Sequence, residues 1–451
     1  MMGVLNSFKV KGGHCQYSLG IQSISKYCIQ NGHEVQMVST DPLFLDEGVE
    51  KILSLNPKIV GFSSNYVTEP FVTNMINILK QSMKKNIVIV VGGPSVTYSS
   101  RISSIRNSKA DLFVRGDGEM VFCDILEKGP QPILEGKLKI KGVSSNGTYD
   151  ESIASVELSS IPSIFPLKFQ TDHVYWETVR GCVFDCIYCA HPGQKNLFRE
   201  VPLEKILRDV EYLRENNFRA IYITDPILGG NKNRSKVILK LLKDLKEPFI
   251  TAEYRPEYLD EEILDLLEEV KIGWLEFGLQ TINPNLEYFR KNSDLTKHNL
   301  EKISRREIKY SLDLIAGIPG DTRDTFEDSL KFAIEDAKPT SLKIFPLRVY
   351  EGTILHKMAE GEENWSYDPQ TRIIKSSHTF DEEEVSEWIR LGKTITFFYK
   401  FLNDKNWFEN ESKFRSLKFF IHLFNELGLQ LPGEYDEKIM QFLWEKFKNE
   451  G

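Results

Sequence analysis

The hydrophobic residues of this 451-residue chain follow two alternating patterns. Short apolar runs, typical of buried strands, alternate with stretches in which apolar residues recur every three to four positions, typical of amphipathic helices. Between Val174 and Val349 this alternation occurs six times. It predicts an α/β architecture in which six parallel strands curve into a partial (β/α)6 barrel of the TIM type. The predicted strands are Val174–Val179, Ala220–Thr224, Phe249–Tyr254, Trp274–Leu279, Ser311–Ala316 and Ser341–Val349.

The N-terminal part of the chain has its own alternation of strands and helices. Buried strands are predicted at Ile59–Ser63, Ile87–Val91 and Asp111–Arg115, and a helix is predicted at Phe71–Met83. This order indicates a doubly wound, Rossmann-like domain, whose ligands bind outside the carboxyl ends of its strands.

Turn residues and changes in composition divide the chain into four segments. An Asn146-Gly147 turn and the prolines Pro162 and Pro166 separate the two alternating regions, as expected for a hairpin or linker. The predicted segments are a Rossmann-like domain over residues 1–135, a linker or hairpin over 136–170, a barrel over 171–361 and a helical C-terminal domain over 362–451.

Charge and composition restrict the partners and the compartment. The chain has 57 Lys and Arg residues against 65 Asp and Glu residues, a formal net charge of −8. An acidic chain lacks the electrostatic footprint of a nucleic-acid-binding protein, so no nucleic acid partner is predicted. No N-terminal stretch resembles a signal peptide, and no apolar run is long enough to span a bilayer. Six cysteines, three of them clustered, indicate a reducing cytoplasm.

Three of the cysteines form the most specific motif of the chain. Cys182, Cys186 and Cys189 have C-x3-C-x2-C spacing on a loop that follows the first predicted barrel strand, where barrel enzymes have their active sites. Three thiolates can hold three irons of a 4Fe-4S cluster and leave the fourth iron open. Two alternatives are a Cys3His zinc site that includes His191, at an unusually short spacing, and a purely electron-transferring cluster, which normally has a fourth cysteine nearby.

This loop resembles the signature of the radical S-adenosylmethionine (SAM) enzymes, including Tyr188 before the third cysteine and the Arg180-Gly181 pair before the first. The resemblance implies that the open iron chelates the amino and carboxylate groups of SAM. One electron, supplied by a donor such as flavodoxin or ferredoxin, then cleaves the sulfonium and yields a 5′-deoxyadenosyl radical. The resemblance also implies that Tyr188 lies near the adenine. Arg180 and His191 flank the cluster and could tune its potential.

Further SAM contacts are expected at the carboxyl ends of the barrel strands. Asp225 stands where the family commonly has a Gly-Gly-Glu contact to the SAM amino group. Arg255 ends the third strand, where its cation could bind the SAM carboxylate or form a surface salt bridge. Glu276 and Gln280, at the end of the fourth strand, could reach SAM or the substrate, or could satisfy buried backbone groups.

The fifth strand ends in Gly317-Ile318-Pro319-Gly320. This sequence resembles the family's Gly-x-Ile-Pro-Gly segment, and the resemblance implies that the backbone of Gly317 and Ile318 flanks the adenine.

The N-terminal domain resembles the cobalamin-binding domain that precedes the barrel in one large radical SAM subgroup. A serine turn, a Gly-Gly turn and an Arg-Gly-Asp-Gly-Glu segment end its strands, and ordinary βα turns are the alternative interpretation. The Asp-x-His-x-x-Gly motif that supplies a cobalt ligand in many such domains is absent, and the mode of cobalamin binding stays open. The residues implied to contact cobalamin are Ser63, Ser64, Gly92, Gly93 and Glu119.

The resemblance therefore implies a radical SAM enzyme with a 4Fe-4S cluster, SAM and cobalamin as cofactors. Methylation of an unactivated carbon, in a small molecule or peptide of a specialised-metabolite pathway, is the default hypothesis. The alternatives are a cobalamin-dependent ring rearrangement or cyclisation, a tRNA methylthiotransferase, and a non-catalytic metal or cobalamin sensor. A methylthiotransferase would need a second compact three-cysteine set, and Cys15, Cys28 and Cys123 are scattered. Cys28 and Cys123 are predicted to be buried, and the role of Cys15 stays open.

Overall fold

Two six-stranded sheets organise the chain in a computed structural model. The structure describes residues 2–8, 17–82, 87–97, 104–145, 150–167, 171–189, 197–246, 248–286, 289, 293–362, 364–404, 408 and 415–427. Within these ranges, no helix combines the length and the apolar composition that crossing a membrane requires.

The first sheet has the strand order β2-β1-β3-β4-β5-β6. Its first five strands are parallel, and β6 pairs antiparallel with β5. The chain order reverses between β1 and β3, which is the switch point where doubly wound sheets bind ligands. This arrangement confirms the Rossmann-like prediction. The strands are β1 (Met2–Phe8), β2 (Glu34–Thr40), β3 (Ile59–Ser63), β4 (Val88–Gly92), β5 (Leu112–Val114) and β6 (Val143–Ser145).

Helices cover both faces of the first sheet, so its central strands are apolar on both sides. Ile59 and Val60 on β3, and Val88 and Ile89 on β4, are all buried, with neighbouring residues in different core clusters. The helices are α1 (Leu19–Gln30), α2 (Leu45–Ser54), α3 (Glu69–Ser82), α4 (Pro94–Thr97), α5 (Glu119–Lys128) and α6 (Gln131–Leu134), with a 3-10 turn at Ser104–Asn107.

Part of the segment expected to be a linker belongs to the first domain. Strand β6 extends the sheet, and a bridge joins Gly116 to Ala154. Gly116 has a φ of +93°, and a Cβ atom there would lie 2.1 Å from the carbonyl oxygen of Ala154, so the close approach requires glycine. The Asn146-Gly147 turn lies outside the described residues.

The second sheet contains the six predicted barrel strands, all parallel and in chain order from one edge to the other. They confirm the partial barrel. A short hairpin, β8 (Val179–Arg180) and β9 (Arg199–Glu200), follows the first strand. The barrel strands are β7 (His173–Trp176), β10 (Ala220–Ile223), β11 (Phe249–Tyr254), β12 (Trp274–Gln280), β13 (Tyr310–Ala316) and β14 (Ser341–Pro346).

Side chains alternate along these strands between helices on the outside and the barrel interior. On β12, Leu275, Phe277 and Leu279 are fully buried in the main core, while Glu276 and Gly278 face the other way, because strand residues have a period of two. The outer helices are α7 (Leu203–Glu215), α8 (Lys232–Leu242), α9 (Glu261–Glu269), α10 (Ser293–Ile303) and α11 (Arg323–Lys331), which continues as a π-helical turn over Phe332–Ala337.

The described part of the C-terminal region is mainly helical, as predicted. It contains α12 (Ile354–Gly361), a hairpin of β15 (Ser366–Tyr367) and β16 (Ile374–Ser376), α13 (Glu382–Asp404) and α14 (Leu417–Leu427). Helix α13 packs so closely against β14 that a Cβ atom on Gly392 would lie 2.5 Å from Ile344 Cγ2. The helix therefore covers one edge of the open barrel.

Candidate active site

The cysteine loop lies at the carboxyl end of the first barrel strand, directly after β8. All three thiols are partly buried and unbonded to one another. The Cys189 N–H donates to the Cys186 carbonyl oxygen at 3.1 Å, and the Leu355 N–H at the start of α12 donates to the Ile187 carbonyl oxygen at 3.0 Å. The loop is therefore fixed by its own turn and by the region that follows the barrel.

The donor set fits a cluster with three thiolate ligands. Among the described residues, no three Cys, His, Asp or Glu side chains converge so that they could share one metal ion. A cubane does not require that convergence, because each thiolate binds a different iron. Cys182, Cys186 and Cys189 are the residues that would hold the cluster. His191 lies outside the described residues.

Asp225 anchors the backbone that leads into this loop. Its side chain is 1% exposed. One carboxylate oxygen accepts from the N–H groups of Thr178 at 2.7 Å and Val179 at 3.1 Å. The other accepts from the Gly229 N–H at 3.0 Å and from the Thr178 hydroxyl. Because protein donors already engage both oxygens, Asp225 acts in this arrangement as a positioning residue for the cysteine loop.

Burial raises the pKa of Asp225 to about 6, although its four hydrogen bonds act in the opposite direction. A folded pKa above the unfolded value of about 3.9 means that the native state binds the proton more tightly. This contribution to stability is present below about pH 4 and is lost as the pH rises through 6.

We expect Asp225→Asn to lower the stability of the protein by about 1–3 kcal/mol at pH 8, because the amide NH2 would face a backbone donor. We also expect less iron to be retained after anaerobic reconstitution. The midpoint of urea unfolding and the iron content measure the two effects. Asp244→Asn, on the exposed turn after α8, is the matched control. Equal stability and equal iron in the two variants would contradict the anchoring role.

Arg255 packs directly against the cysteine loop. Its guanidinium carbon lies 3.8 Å from the centre of the Phe184 ring, a cation–π contact with a residue between the first two cysteines. The same guanidinium donates to Glu257 at 2.6 Å. Burial raises the pKa of the Cys182 thiol, while the charge of Arg255 acts to lower it. The structure thus brings Arg255 to the cysteines, as a SAM-carboxylate contact would require.

The ring of Tyr188 lies beside the last cysteine, Cys189. This ring stacks on Phe289 with centroids 5.5 Å apart and planes 5° apart. The pair closes the loop against the barrel core. This placement leaves the predicted role near the adenine as a proposal.

The polar residues of β12 occupy two different levels of the barrel. Strand β12 runs to Gln280, one residue beyond its predicted end at Leu279. Glu276 faces the interior, with its carboxylate 3.2 Å from the Lys343 ammonium. Gln280 is at the rim and has a φ of +59°, a left-handed conformation that is uncommon for a residue other than glycine. Its side chain lies over Gly278, where a Cβ atom would be 2.1 Å from Gln280 Nε2.

The segment after β13 lies under the C-terminal region. Gly317 has a φ of +88°, and a Cβ atom there would lie 2.7 Å from Ile374 Cγ2 and 2.8 Å from Val385 Cγ2. The Ile318 side chain is fully buried. The backbone of this segment, rather than its side chains, is therefore the part that could face a ligand.

The serine and glycine turns of the first domain are in direct contact. The Ser64 N–H donates to the Gly92 carbonyl oxygen at 2.9 Å, and the Ser95 N–H donates to the Ser64 carbonyl oxygen at 3.0 Å. The hydroxyls of Ser64 and Ser95 are buried and have no hydrogen-bond partner in the described part of the chain. Buried hydroxyls normally have partners, so these two leave hydrogen-bonding capacity beside the Gly92-Gly93 turn.

A cavity of about 410 Å³ joins the two domains. It extends from the carboxyl ends of β3 and β4 to the backbone immediately before Cys182. Four of the five residues predicted to contact cobalamin line it, while Ser64 is buried behind its wall. Its lining includes Ser63, Gly92, Gly93, Glu119, Arg180 and Gly181.

A cluster of ion pairs connects the two domains beside this cavity. Arg180 contacts Asp117 at 3.0 Å, Glu119 at 3.0 Å and Glu177 at 2.9 Å. Arg199 contacts Asp117 at 2.6 Å. We call these five residues the interdomain ion cluster. Glu119 also accepts from the Ser23 hydroxyl at 2.7 Å, so protein donors already engage the carboxylate that was expected to contact cobalamin.

The sequence indicated only that Arg180 could tune the potential of the metal cluster. It did not identify Arg199 as a residue of the site. The partners are 63 residues apart for Arg180 with Asp117 and 82 for Arg199 with Asp117. No local spacing in the sequence signals these pairs. The alternation of acidic residues and glycines at 116–119 was the one available indication.

We expect Gly93→Ala to reduce cobalamin retention at least severalfold while leaving the iron content unchanged. Gly93 has a φ of +94°, and a Cβ atom there would lie 2.7 Å from the Ser64 carbonyl oxygen, so alanine would separate the two turns. Gly32→Ala is the control, because Gly32 has a φ of +86° and no atom within 4 Å of the added Cβ. Absorbance of cobalamin after gel filtration measures the effect. Equal retention in the two variants would contradict the assignment.

Comparisons with known proteins agree with this arrangement. Residues 176–333 match the radical SAM superfamily, and residues 8–126 match the B12 binding domain. An uncharacterized methyltransferase of Pyrococcus horikoshii is 24% identical over 397 residues, which cover 82% of this chain and 85% of that protein. The ribosomal protein uS12 methylthiotransferase RimO of Clostridium botulinum is 30% identical over 212 residues, which cover 43% of this chain and 47% of that protein.

A solved structure shares the fold over both domains. It is the radical SAM methyltransferase TsrM from Kitasatospora setae with cobalamin and a 4Fe-4S cluster bound. The TM-score is 0.66 at 16% identity, over 82% of this chain and 80% of that chain. At this identity the similarity is one of fold.

Proposed function

From the premise that this chain is a radical SAM enzyme with an N-terminal B12-binding domain, we propose that it methylates an unactivated carbon of a small molecule or peptide. The family matches confirm the predicted 4Fe-4S cluster, SAM and cobalamin as its cofactors. The observation that carries the methylation proposal is the cavity that runs from the Gly92-Gly93 turn to Arg180 and Gly181. It brings the predicted cobalamin residues to the backbone that enters the cysteine loop.

When bound, the cluster and SAM would supply hydrogen abstraction at the acceptor carbon, and cobalamin would carry the methyl group. The chain's own residues set the geometry of this chemistry. Cys182, Cys186 and Cys189 would fix the cluster at the barrel rim, and Asp225 fixes the backbone before them. Arg255 places a cation beside the loop, where it could bind the SAM carboxylate.

Two parts of the chain enclose this site, and their contacts support the exclusion of water from it. The first domain closes one side through the interdomain ion cluster. The C-terminal region closes another side at Gly317. Exclusion of water protects a reactive centre from side reactions. The names of the Pyrococcus horikoshii and Kitasatospora setae proteins, both methyltransferases, also support transfer of a methyl group.

The chain would require an external electron donor, such as flavodoxin or ferredoxin, because it must receive electrons one at a time. Three thiolates that stay available for iron favour a reducing compartment, so we propose the cytoplasm.

Anaerobic reconstitution tests the proposal. The protein is loaded with iron, sulfide and cobalamin, freed of unbound material and given SAM with a strong reductant. We expect retained cobalamin, roughly four irons per chain and formation of 5′-deoxyadenosine. Bound zinc without iron would overturn the radical chemistry. Iron without retained cobalamin would overturn methyl transfer by cobalamin.

A methylthiotransferase is the second candidate, favoured by the partial similarity to RimO. It would need a second cluster, held by Cys15, Cys28 and Cys123. Cys28 and Cys123 are buried where α1 packs on α5. Cys15 lies outside the described residues. The same reconstitution distinguishes the two functions, because a second cluster would raise the iron content to roughly eight per chain.

A further inference from the structure

The interior of the barrel has an acidic wall beside the site described above, and Glu253 of this wall acts on the pKa of the Cys182 thiol. Glu253 on β11 pairs in register with Glu276 on β12. Asp313 on β13 pairs with Gly278 on one side and with Lys343 on the other. The residues between them on each strand are buried against the outer helices, so these side chains share the inner face. We call Glu253, Glu276 and Asp313 the acidic wall.

The acidic wall has fewer cations than carboxylates. Among the described residues, Lys343 is the cation on the inner face that contacts it, and its ammonium lies 3.2 Å from Glu276. Glu253 and Asp313 repel Glu276 and each other. One lysine therefore neutralises one of the three carboxylates.

Two polar atoms at this wall are buried and unsatisfied within the described residues. One is Asp313 Oδ1, and the other is the hydroxyl of Ser311, whose residue is 0% exposed. Ser311 is on the same face as Asp313 and pairs in register with Glu276. Buried carboxylate and hydroxyl oxygens without donors indicate that a donor is supplied from elsewhere.

The inner face of the first two barrel strands is aromatic. Tyr175 on β7 and Tyr222 on β10 are in register, with ring centroids 5.7 Å apart. The ring of His173 stacks on Tyr222 with centroids 6.1 Å apart. Aromatic faces and carboxylates both attract a cation. Glu253 is exposed, so a ligand can reach its carboxylate.

We propose that the barrel interior binds the substrate through a positively charged amino group, which Glu253 and Asp313 hold on the inner face that the two tyrosines also line. This inference rests on the proposed function and adds the chemical class of the substrate, an ammonium-bearing molecule. The ammonium would donate to Asp313 Oδ1 and add positive charge to a wall whose three carboxylates contact one lysine among the described residues.

The protonation of the wall agrees with this inference. Burial, together with the charges of Glu276 and Asp313, raises the pKa of Glu253 to about 7. Burial and the charge of Glu276 raise the pKa of Asp313 to about 7, against the attraction of Lys343. The other titratable groups on the inner faces of the neighbouring described strands are Lys343, Tyr222, Tyr175 and His173, and the Cys182 thiol lies within electrostatic range of Glu253. Because the carboxylates must ionise to hold a cation, amine affinity should rise about tenfold from pH 6 to pH 8.

Ligand-observed NMR on the full-length reconstituted protein, without reductant, tests the inference. The probes are benzylamine, which is a cation, benzyl alcohol, which is neutral, and phenylacetate, which is an anion. We expect benzylamine to bind at least about tenfold more tightly than the other two. Equal binding of benzylamine and benzyl alcohol would overturn the inference.

Variants locate the binding. We expect Glu253→Gln and Asp313→Asn each to weaken benzylamine binding by about tenfold and to leave benzyl alcohol unaffected. Glu211→Gln, on the exposed face of α7, is the control. Iron content and the urea midpoint verify that each variant is folded. Unchanged benzylamine affinity in both variants would overturn the inference.

The outcome is independent of radical chemistry, because the assay requires neither reductant nor SAM cleavage. Cleavage of SAM without selective binding of benzylamine would refute the ammonium site alone. Selective binding of benzylamine without cleavage of SAM would refute the proposed function alone.

Discussion

Cys186→Ala is expected to abolish formation of 5′-deoxyadenosine and to reduce retained iron to the level of non-specific binding. The middle cysteine supplies one of three thiolates, and two remaining ligands cannot hold a cubane in a defined position. The measurements are iron content after gel filtration and 5′-deoxyadenosine formed after SAM and reductant are added.

Cys123→Ala is the matched control for this variant. Cys123 is 7% exposed and lies in the core of the first domain, away from the cysteine loop. We expect it to retain iron and SAM cleavage, at a cost of about 1 kcal/mol in stability. If Cys186→Ala cleaved SAM as fast as Cys123→Ala, the cluster would have to be held elsewhere.

Arg180→Ala is expected to destabilise the protein by about 3–5 kcal/mol and to release cobalamin. The substitution leaves Glu119, whose side chain is 3% exposed, and Asp117, whose side chain is 10% exposed, without one of their cations. Breaking a buried pair from one side leaves an uncompensated charge, which is costly. The urea unfolding midpoint and the cobalamin absorbance after gel filtration measure the two effects.

The pH dependence of this effect has a defined sign. Burial acts to raise the pKa of Asp117, but the hydrogen bond from Arg199 and the charges of Arg180 and Arg199 outweigh it and hold the pKa below its usual value. A depressed folded pKa contributes stability above the unfolded value of about 3.9, and this stability is lost as the pH falls through the folded pKa. The difference between the wild type and Arg180→Ala should therefore be complete at pH 7 and decrease below about pH 4.

Arg323→Ala is the control for Arg180→Ala, because Arg323 also contacts two carboxylates but its side chain is 54% exposed. Surface pairs contribute at most about 1 kcal/mol. Adding Glu119→Gln to Arg180→Ala should recover part of the lost stability, because it removes one unpaired charge. Equal losses for Arg180→Ala and Arg323→Ala would refute the role of the interdomain ion cluster.

Features that depend on residues close together in the chain could be predicted from the sequence, whereas features that depend on contacts between distant residues could not. Every barrel strand was predicted, because its apolar pattern depends on residues that are close in the chain. The outer helix α7 follows the same kind of local pattern, because its buried residues Ile206, Val210 and Leu213 recur every three to four positions. The segment predicted as a linker or hairpin contains β6, whose pairing with β5 joins residues about thirty positions apart and is therefore not visible in a local pattern.

The candidate site residues show the same difference between local patterns and long-range contacts. The spacing of the three cysteines and Tyr188 is local, and the structure keeps these residues on one loop at the barrel rim. The position of Asp225 after its strand was also predicted, but its four donors come from Thr178, Val179 and Gly229. Three of those four donors belong to another strand connection, so the sequence could not show that the carboxylate is already engaged.

The sequence by itself determined the cysteine loop, the six βα units, the Rossmann-like domain before them and the family that this combination resembles. Only the tertiary structure decided that Arg180 joins the two domains and that Glu253, Glu276 and Asp313 face one another in the barrel interior. The physical reason is that periodicity and spacing are properties of neighbouring residues. Ion pairs, shared cavities and unpaired buried groups arise when distant segments of the chain come into contact, and the register of the strands then decides which charges meet.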